Sequence, residues 1–215
     1  MKRAILFLHG RYPTEAAGFY RKNAHRRAII AVDGGYRYVR KMGLTPAALV
    51  GDFDSLHRLP KDLPEETEVL TFPVAKDQTD AQLALEYCVE EKADDILIAD
   101  PFYGDADHFL GNVFLLTLAE SYSRKSGRDI KVLLINHRRE IRLVRDGSLT
   151  FRQARGQRIS IVPLSTRIRL TCTGTEYQAD RALIRQGHTV GLRNRITAQQ
   201  ARFEIEGAAF VVRLF

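Results

Sequence analysis

The chain has 215 residues, 45% of them hydrophobic, which is the composition of a globular protein with a buried core. No apolar run approaches the length of a membrane span and the first residues do not resemble a signal peptide, so we expect a cytoplasmic protein without a membrane partner. The formal net charge of +7 is unevenly spread, because residues 138–215 hold 15 arginines against 6 acidic residues.

The first part of the chain alternates apolar runs with amphipathic stretches. Buried strands are predicted at residues 4–9, 27–33, 47–52, 68–73, 95–100 and 130–136. Helices are predicted at 79–92 and 107–125. This alternation predicts an α/β fold over residues 1–137, with a mostly parallel sheet between helical layers (α/β/α).

The pattern changes after Asn136, where short runs of alternating polarity follow one another. Residues 140–153 predict a hairpin that turns at Asp146-Gly147. The remaining runs to residue 215 are also strand-like. We therefore predict a second, smaller domain over residues 138–215, an antiparallel β-sandwich.

Three aspartates stand where predicted strands end, at Asp33, Asp52 and Asp100. Ligands of open parallel sheets bind at this edge. Asp52 and Asp54 also lie on one side of an extended segment, and two adjacent carboxylates are suited to a divalent cation. The alternative is a solvated loop in which Asp54 starts a turn.

A second acidic group opens the helix predicted at 79–92. Asp77 is placed as its N-cap, with Asp80 three residues later as in a capping box. The neighbouring Lys76 and the helix N-terminus would equally suit a phosphate. The sequence leaves both interpretations open.

Two further segments carry polar groups at element boundaries. Asp105 or Asp107 can cap the helix predicted at 107–125, which makes His108 either its first exposed residue or a functional group. Residues 33–35 read Asp-Gly-Gly, which permits a tight turn or the close approach of a phosphate or nucleobase.

In order along the chain, these segments resemble the conserved blocks of the thiamin pyrophosphokinase family. The matching segments are FLHGRYP, DGGYRYVRKMGLTPAALVGDFDSL, AKDQTDAQLALEY and GDADHFLGNVFLL. The resemblance implies an α/β catalytic domain followed by a small β-sandwich that helps form the acceptor site in a homodimer. It implies transfer of a diphosphoryl group from ATP to the hydroxyl of thiamine, with Mg²⁺ as cofactor.

The resemblance also assigns roles by position. It implies that Asp52, Asp54 and Asp80 hold Mg²⁺ on the phosphates, with Asp77 nearby and Lys76 adding positive charge. It implies that Gly10, Asp33, Gly34 and Gly35 form part of the nucleotide cleft, and that Asp107 and His108 lie beside the reacting groups.

The chain departs from the family's catalytic blocks at one place. Tyr103-Gly104-Asp105 stands where the family has glycine-glycine-arginine, so an acid replaces a cation and Arg11 is the candidate substitute.

The C-terminal segments depart as well. Tyr177 is suited to stack on a flat acceptor ring, and Arg193 precedes Asn194 where the family has serine before asparagine. The alternatives are a pyrophosphokinase for another hydroxymethyl heterocycle and a non-catalytic nucleotide- or thiamine-binding protein. Nucleic-acid binding by the arginine-rich end ranks last, because no aromatic-basic motif accompanies the charge.

Overall fold

The computed structural model describes residues 1–53 and 59–215. They form a mixed α/β structure, in which the chain packs as two compact units, Met1–His137 and Arg138–Phe215. Within the described residues, no helix combines the length and apolar character that a membrane span requires.

The first unit is built on a parallel sheet. Its described strands are β1 (Arg3–Phe7), β2 (Ala28–Val32), β3 (Ala48–Gly51), β4 (Glu68–Thr71), β5 (Asp95–Ala99) and β6 (Lys131–Asn136). Their order is β4-β3-β2-β1-β5-β6, and every neighbouring pair is parallel. The chain thus runs outward from β1 to β4 and then crosses to the other side of β1, which creates a switch point between β1 and β5.

The helices of this unit are α1 (Ala17–Ala24), α2 (Tyr36–Lys41), α3 (Asp80–Glu90) and α4 (Ala106–Ser126), with 3-10 turns at Thr14–Ala16 and Asp33–Gly35. The helices predicted at 79–92 and 107–125 are confirmed as α3 and α4. Asp77 as the N-cap of α3 is wrong: the helix begins at Asp80, so Thr79 takes that place and its side chain accepts a hydrogen bond from the Gln82 backbone N–H.

Both faces of the central strands are buried, because successive side chains point to opposite faces. On one face Ile5 and Phe7 of β1 pack with Tyr20 of α1 and Val39 of α2. Leu6 of β1 points to the other face and is also fully buried, and α3 packs against β1, β2 and β3.

The second unit is antiparallel. Its strands are β7 (Arg139–Arg152), β8 (Arg158–Pro163), β9 (Arg167–Thr173), β10 (Ala179–Arg185), β11 (Asn194–Arg195) and β12 (Gln200–Leu214). The long β12 pairs with β7 along its whole length, with β9 through residues 202–206 and with β8 through residues 209–214. Phe151, Ile168 and Phe203 lie in the core that these strands enclose.

The hairpin predicted at Asp146-Gly147 is wrong, because β7 continues through both residues. The ladder between β7 and β12 shifts register between Ile205 and Ala208, which places a β-bulge opposite Asp146. Asp146 adopts a φ of +44° and its Oδ1 accepts a hydrogen bond of 2.6 Å from the Gly207 N–H. The positive φ of Asp146 therefore belongs to a β-bulge between two paired strands and not to a hairpin turn.

Candidate functional site

A cleft of about 420 Å³ lies at the carboxyl edge of the parallel sheet. Its lining includes His9 beyond β1, Asp33 beyond β2, Asp52 beyond β3 and residues 103–105 beyond β5. These four strands are neighbours around the switch point, which explains why groups far apart in sequence meet there.

Asp33 is held by close packing of glycines around its turn. It has a φ of +44° and starts the 3-10 turn Asp33–Gly35. Gly35 lies so near β1 that a Cβ there would overlap the carbonyl oxygen of Phe7, and a Cβ at Gly51 would lie 3.1 Å from that of Asp33. Asp33 Oδ1 is buried and has no hydrogen-bond partner among the described residues.

Lys76 joins two of the predicted carboxylates. Its Nζ donates to Asp52 Oδ2 at 2.7 Å and lies 3.0 Å from Asp80 Oδ1, an ion-pair contact outside hydrogen-bond geometry. The side chains of Lys76 and Asp52 are only 14% and 10% exposed. The predicted grouping of Lys76, Asp52 and Asp80 is therefore present, whereas Asp77 is exposed and absent from the cleft lining.

The crowding of negative charge changes proton affinities in this group. Burial raises the pKa of Asp80; the ion pair with Lys76 opposes this, the charges of Asp52 and Asp33 add to it, and the net shift is upward. Burial lowers the pKa of Lys76, but its two carboxylate partners outweigh burial and the pKa of Lys76 is raised. The site thus favours an added positive charge near Asp80.

Asp100 has a structural place at this edge. It is buried with a φ of +51°, and its Oδ1 accepts a hydrogen bond of 3.0 Å from Asn136 Nδ2. Its Oδ2 accepts a hydrogen bond from the Arg11 backbone N–H, and it would lie 2.7 Å from a Cβ at Gly10. Gly10 is therefore needed for the approach of Asp100 to the turn after β1, while the Arg11 side chain is exposed.

The start of α4 contributes one wall of the cleft. Asp105 occupies the N-cap position of α4 without a side-chain cap hydrogen bond, and Asp107 Oδ1 accepts a hydrogen bond of 2.7 Å from the His108 N–H. Asp105 and His108 line the cleft and Asp107 does not. The structure thus separates two residues that the sequence grouped together.

Two aromatic residues of the cleft were missed by the sequence reasoning. The His9 and Tyr103 rings are nearly parallel, with an interplanar angle of 12° and centroids 6.2 Å apart. His9 also faces Tyr38, whose ring lies 4.6 Å from that of the buried Tyr12. His9 could have been found from the sequence, because it follows a predicted strand just as Asp33, Asp52 and Asp100 do.

Of the C-terminal residues selected from the sequence, Tyr177 and Asn194 lie together at a separate pocket of about 240 Å³. Asn194 Nδ2 donates to the Tyr177 carbonyl at 2.7 Å, and Asn194 Oδ1 accepts from the Tyr177 N–H at 3.1 Å. Both residues line the pocket, which is otherwise largely apolar; Arg193 does not, and its backbone N–H donates to Ser160 Oγ.

The carboxylates of the cleft offer oxygen ligands, the type that Mg²⁺ prefers. In the described ranges, 1–53 and 59–215, no three acidic, histidine or cysteine side chains are grouped closely enough to hold a metal by themselves. Asp54, predicted as the third ligand, lies outside the described residues. Because Mg²⁺ is usually held by one or two carboxylates together with substrate phosphates, Asp52 and Asp80 fit a metal that arrives with a nucleotide.

Comparisons with known proteins point to one family. The catalytic-domain model of thiamin pyrophosphokinase matches residues 19–128. The thiamine pyrophosphokinase of Bacillus subtilis (strain 168) is 31% identical over 192 residues, covering 86% of each chain.

Solved structures of that family share the fold. The crystal structure from Bacillus subtilis superposes with a TM-score of 0.82 at 28% identity and covers 99% of both chains. The structure from Geobacillus thermodenitrificans gives a TM-score of 0.78 at 25% identity and covers 98% of this chain and 97% of the other. Yeast thiamin pyrophosphokinase, at 11% identity and a TM-score of 0.76, shares the fold over 100% of this chain and 86% of its own.

Proposed function

Because the chain belongs to the thiamin pyrophosphokinase family, we propose that it transfers the diphosphoryl group of ATP to the hydroxyl of thiamine. The hydroxyl oxygen of thiamine attacks the β-phosphorus, the bond from that phosphorus to the oxygen of the α-phosphate breaks, and AMP leaves. The hydroxyl proton passes to a base, and the second product is thiamine diphosphate. The observation that carries the proposal is the grouping of Asp52, Asp80 and Lys76 in the cleft that Asp33 also lines.

The protein's part in such a reaction is chiefly positioning and charge compensation. Lys76 holds Asp52 and Asp80 in fixed positions and lowers the repulsion between them. Asp33, whose buried Oδ1 has no partner in the part of the chain that the structure describes, adds a third carboxylate on the turn beyond β2. We infer that this arrangement binds the polyphosphate through cations rather than through direct contacts with carboxylates.

We propose Mg²⁺ as that cation, held by Asp52 and Asp80. When bound, the metal would neutralise charge on the phosphate oxygens and polarise the attacked phosphorus. The upward shift of the Asp80 pKa supports this proposal, because burial and the charges of Asp52 and Asp33 raise it in spite of the ion pair with Lys76.

We propose His108 as the group that accepts the hydroxyl proton, because it is exposed at the start of α4 and lines the same cleft without being a ligand of the proposed metal. Removal of its side chain, followed by a pH profile of kcat, tests this assignment.

We propose that the second unit acts as a β-sandwich domain that contributes to acceptor binding. Tyr177 is 69% exposed and is suited to stack on a flat ring, and Asn194 fixes the backbone on either side of it. We further propose a cytoplasmic homodimer. Exposed apolar side chains around this pocket support the dimer, and the two buried unpaired thiols, Cys88 and Cys172, are compatible with a reducing compartment.

The first experiment is an assay of the full chain with ATP, Mg²⁺ and thiamine, in which AMP and thiamine diphosphate are separated by chromatography. We expect equal amounts of both products, and neither when thiamine or the metal is omitted. Asp52→Asn should lower kcat at least about 100-fold, because a charge at the reacting phosphates is lost. Asp94→Asn, an exposed acid at the opposite edge of the sheet, is the control.

A further inference from the structure

The cleft holds an aromatic face and a carboxylate that the proposed chemistry at the phosphates does not use. Tyr103 and Asp105 lie on the same short loop, and both line the cleft. They stand at positions where the family motif has glycine and arginine. Tyr103 therefore adds an aromatic ring where the motif has no side chain, and Asp105 places a negative charge where the motif has a positive one.

The Tyr103 ring is exposed but supported. The residue is 51% exposed, and its nearly parallel neighbour His9 lies 6.2 Å away in the range of offset stacking. Behind His9 stand Tyr38 and then the buried Tyr12, whose hydroxyl donates to the Leu8 and Ala99 carbonyls. A continuous row of rings therefore runs from the core to Tyr103.

The loop that carries Tyr103 is anchored at both ends. At its start, Asp100 is fixed by the Arg11 backbone N–H and by Asn136 Nδ2. Next to it, the Pro101 carbonyl accepts a hydrogen bond of 3.1 Å from Asn112 Nδ2 of α4. At its end, Asp105 leads directly into α4.

The charge of the cleft selects the kind of ring that would stack here. The described lining contains Asp33, Asp52, Asp80 and Asp105 and no lysine or arginine; its other titratable groups are His9, Tyr103 and His108. A tyrosine face beside a carboxylate attracts a flat cation, through the quadrupole of the ring and through charge. A neutral ring such as adenine would gain from stacking on Tyr103 but not from the negative charge of Asp105.

We propose that Tyr103 and Asp105 form a binding site for a flat, positively charged heterocycle, and that its occupant is the thiazolium ring of thiamine. This proposal rests on the proposed function for the identity of the acceptor. Tyr103 and Asp105 are then specificity-determining residues of this chain.

The test compares two ligands that differ in charge. Calorimetry would measure binding of thiamine and of 3-deazathiamine, in which a neutral thiophene replaces the thiazolium, to the full chain with α,β-methylene-ATP and Mg²⁺ present to prevent transfer. We expect Tyr103→Leu and Asp105→Asn each to weaken thiamine binding roughly 3- to 30-fold while 3-deazathiamine changes less than about 2-fold. Tyr103→Phe keeps the ring face and should bind thiamine nearly as the unaltered protein does.

Phe114→Leu is the matched control, since Phe114 is also 51% exposed and is absent from the cleft lining. Equal weakening of both ligands by Tyr103→Leu would overturn the proposal in favour of an uncharged apolar wall. A raised KM for ATP with unchanged thiamine binding would overturn it in favour of a nucleobase site.

The binding measurement is independent of turnover. If the full chain forms no AMP but discriminates between the two ligands as described, the proposed reaction fails and the cation site stands. If AMP and thiamine diphosphate form while the variants leave the discrimination unchanged, the reaction stands and the cation site fails.

Discussion

Lys76 shows how one side chain allows two acids to coexist in the cleft. Asp52 and Asp80 repel each other, and burial adds to the cost of keeping both ionised. The ammonium group between them offsets that cost, so the carboxylates remain charged and fixed before any ligand arrives. In the proposed reaction, Lys76 and the Mg²⁺ of the substrate complex would act on the same carboxylate oxygens.

We predict that Lys76→Met lowers both activity and stability. The variant should lose at least about 100-fold in kcat because the charge beside the phosphates is gone. Its free energy of unfolding should fall by about 2 kcal/mol, because two largely buried carboxylates lose their partner. Urea denaturation and the AMP assay measure the two effects.

The double variant Lys76→Met with Asp80→Asn is the control for this explanation. It removes one acid together with the cation, so the stability should return towards that of the unaltered protein while activity stays low. Unrecovered stability would show that the lysine acts through packing of its aliphatic chain.

Asp95 gives a pH dependence at the opposite edge of the sheet. Burial raises the pKa of Asp95, but Arg27 and Arg3 outweigh burial and lower it from the ordinary value of 3.8. A carboxyl whose pKa is lowered by folding stabilises the protein above the unfolded pKa, and this contribution disappears as the pH falls through the folded pKa.

We therefore predict that Asp95→Asn destabilises the protein at pH 7 by about 1 kcal/mol, a modest value because the Asp95 side chain is partly exposed. The difference between variant and unaltered protein should shrink as the pH falls below about 4. Urea denaturation at several pH values measures it. A difference that stays constant to pH 3 would exclude the two arginines as its source.

Sequence reasoning found the acids of the site better than its aromatic residues. Aspartates at strand ends are unusual enough to be selected, and Asp33 and Asp52 do line the cleft. Asp100 met the same criterion but is buried in a hydrogen-bond network, which depends on the register of β5 and β6. Tyr103 carried no periodic signal, because its position depends on a loop and on a ring contributed from beyond β1.

At the scale of elements, the pattern of apolar residues was sufficient to predict the parallel strands of the first unit. The parallel strands are short and mostly apolar, and their bounds differ from the predicted ones by only a few residues. The error at Asp146 arose because a positive φ serves a hairpin turn and a bulge equally well. Only the partner strand decides between them, and β12 pairs on both sides of the dipeptide.

The turn Asp33–Gly35 gives a prediction at this scale. Gly35→Ala should lower the free energy of unfolding by more than about 3 kcal/mol, because the added methyl group overlaps the backbone of β1 and the turn must move. Gly18→Ala is the matched control. Gly18 lies in α1 with open space around its Cβ position, so alanine should stabilise the helix by up to about 1 kcal/mol. Equal effects of the two changes in urea denaturation would contradict the assigned contact.

At the scale of the whole molecule, the two units differ in charge. The net positive charge of the chain comes from residues 138–215, which hold 15 arginines against 6 acidic residues, whereas the cleft of the first unit is lined by four aspartates. Some of those arginines pair with acids of their own unit, as Arg181 does with Glu206 and Arg202 with Glu204. The family assignment, rather than the charge, places nucleic-acid binding last.

The proposed homodimer gives a prediction for the second unit. Val190 is 75% exposed and lines the apolar pocket together with Leu192 and Tyr177. Val190→Asp should weaken self-association at least about 10-fold, because a charge would be buried at the contact between two copies. Sedimentation velocity over a range of concentrations measures the change.

Val74→Asp is the control, since Val74 is 70% exposed and belongs to the first unit. A dimer that withstands Val190→Asp, or a monomer in the unaltered protein at micromolar concentration, would refute the assignment of this surface.

The row of rings that leads from the core to the cleft has an optical consequence. The chain has no tryptophan, and three of its eight tyrosines, Tyr12, Tyr38 and Tyr103, belong to that row. Its near-ultraviolet circular dichroism therefore arises chiefly from tyrosines, and among those of the row only Tyr103 lines the cleft. A ligand that stacks on Tyr103 would change this tyrosine signal directly. Binding in the cleft can therefore be followed by near-ultraviolet circular dichroism without a label.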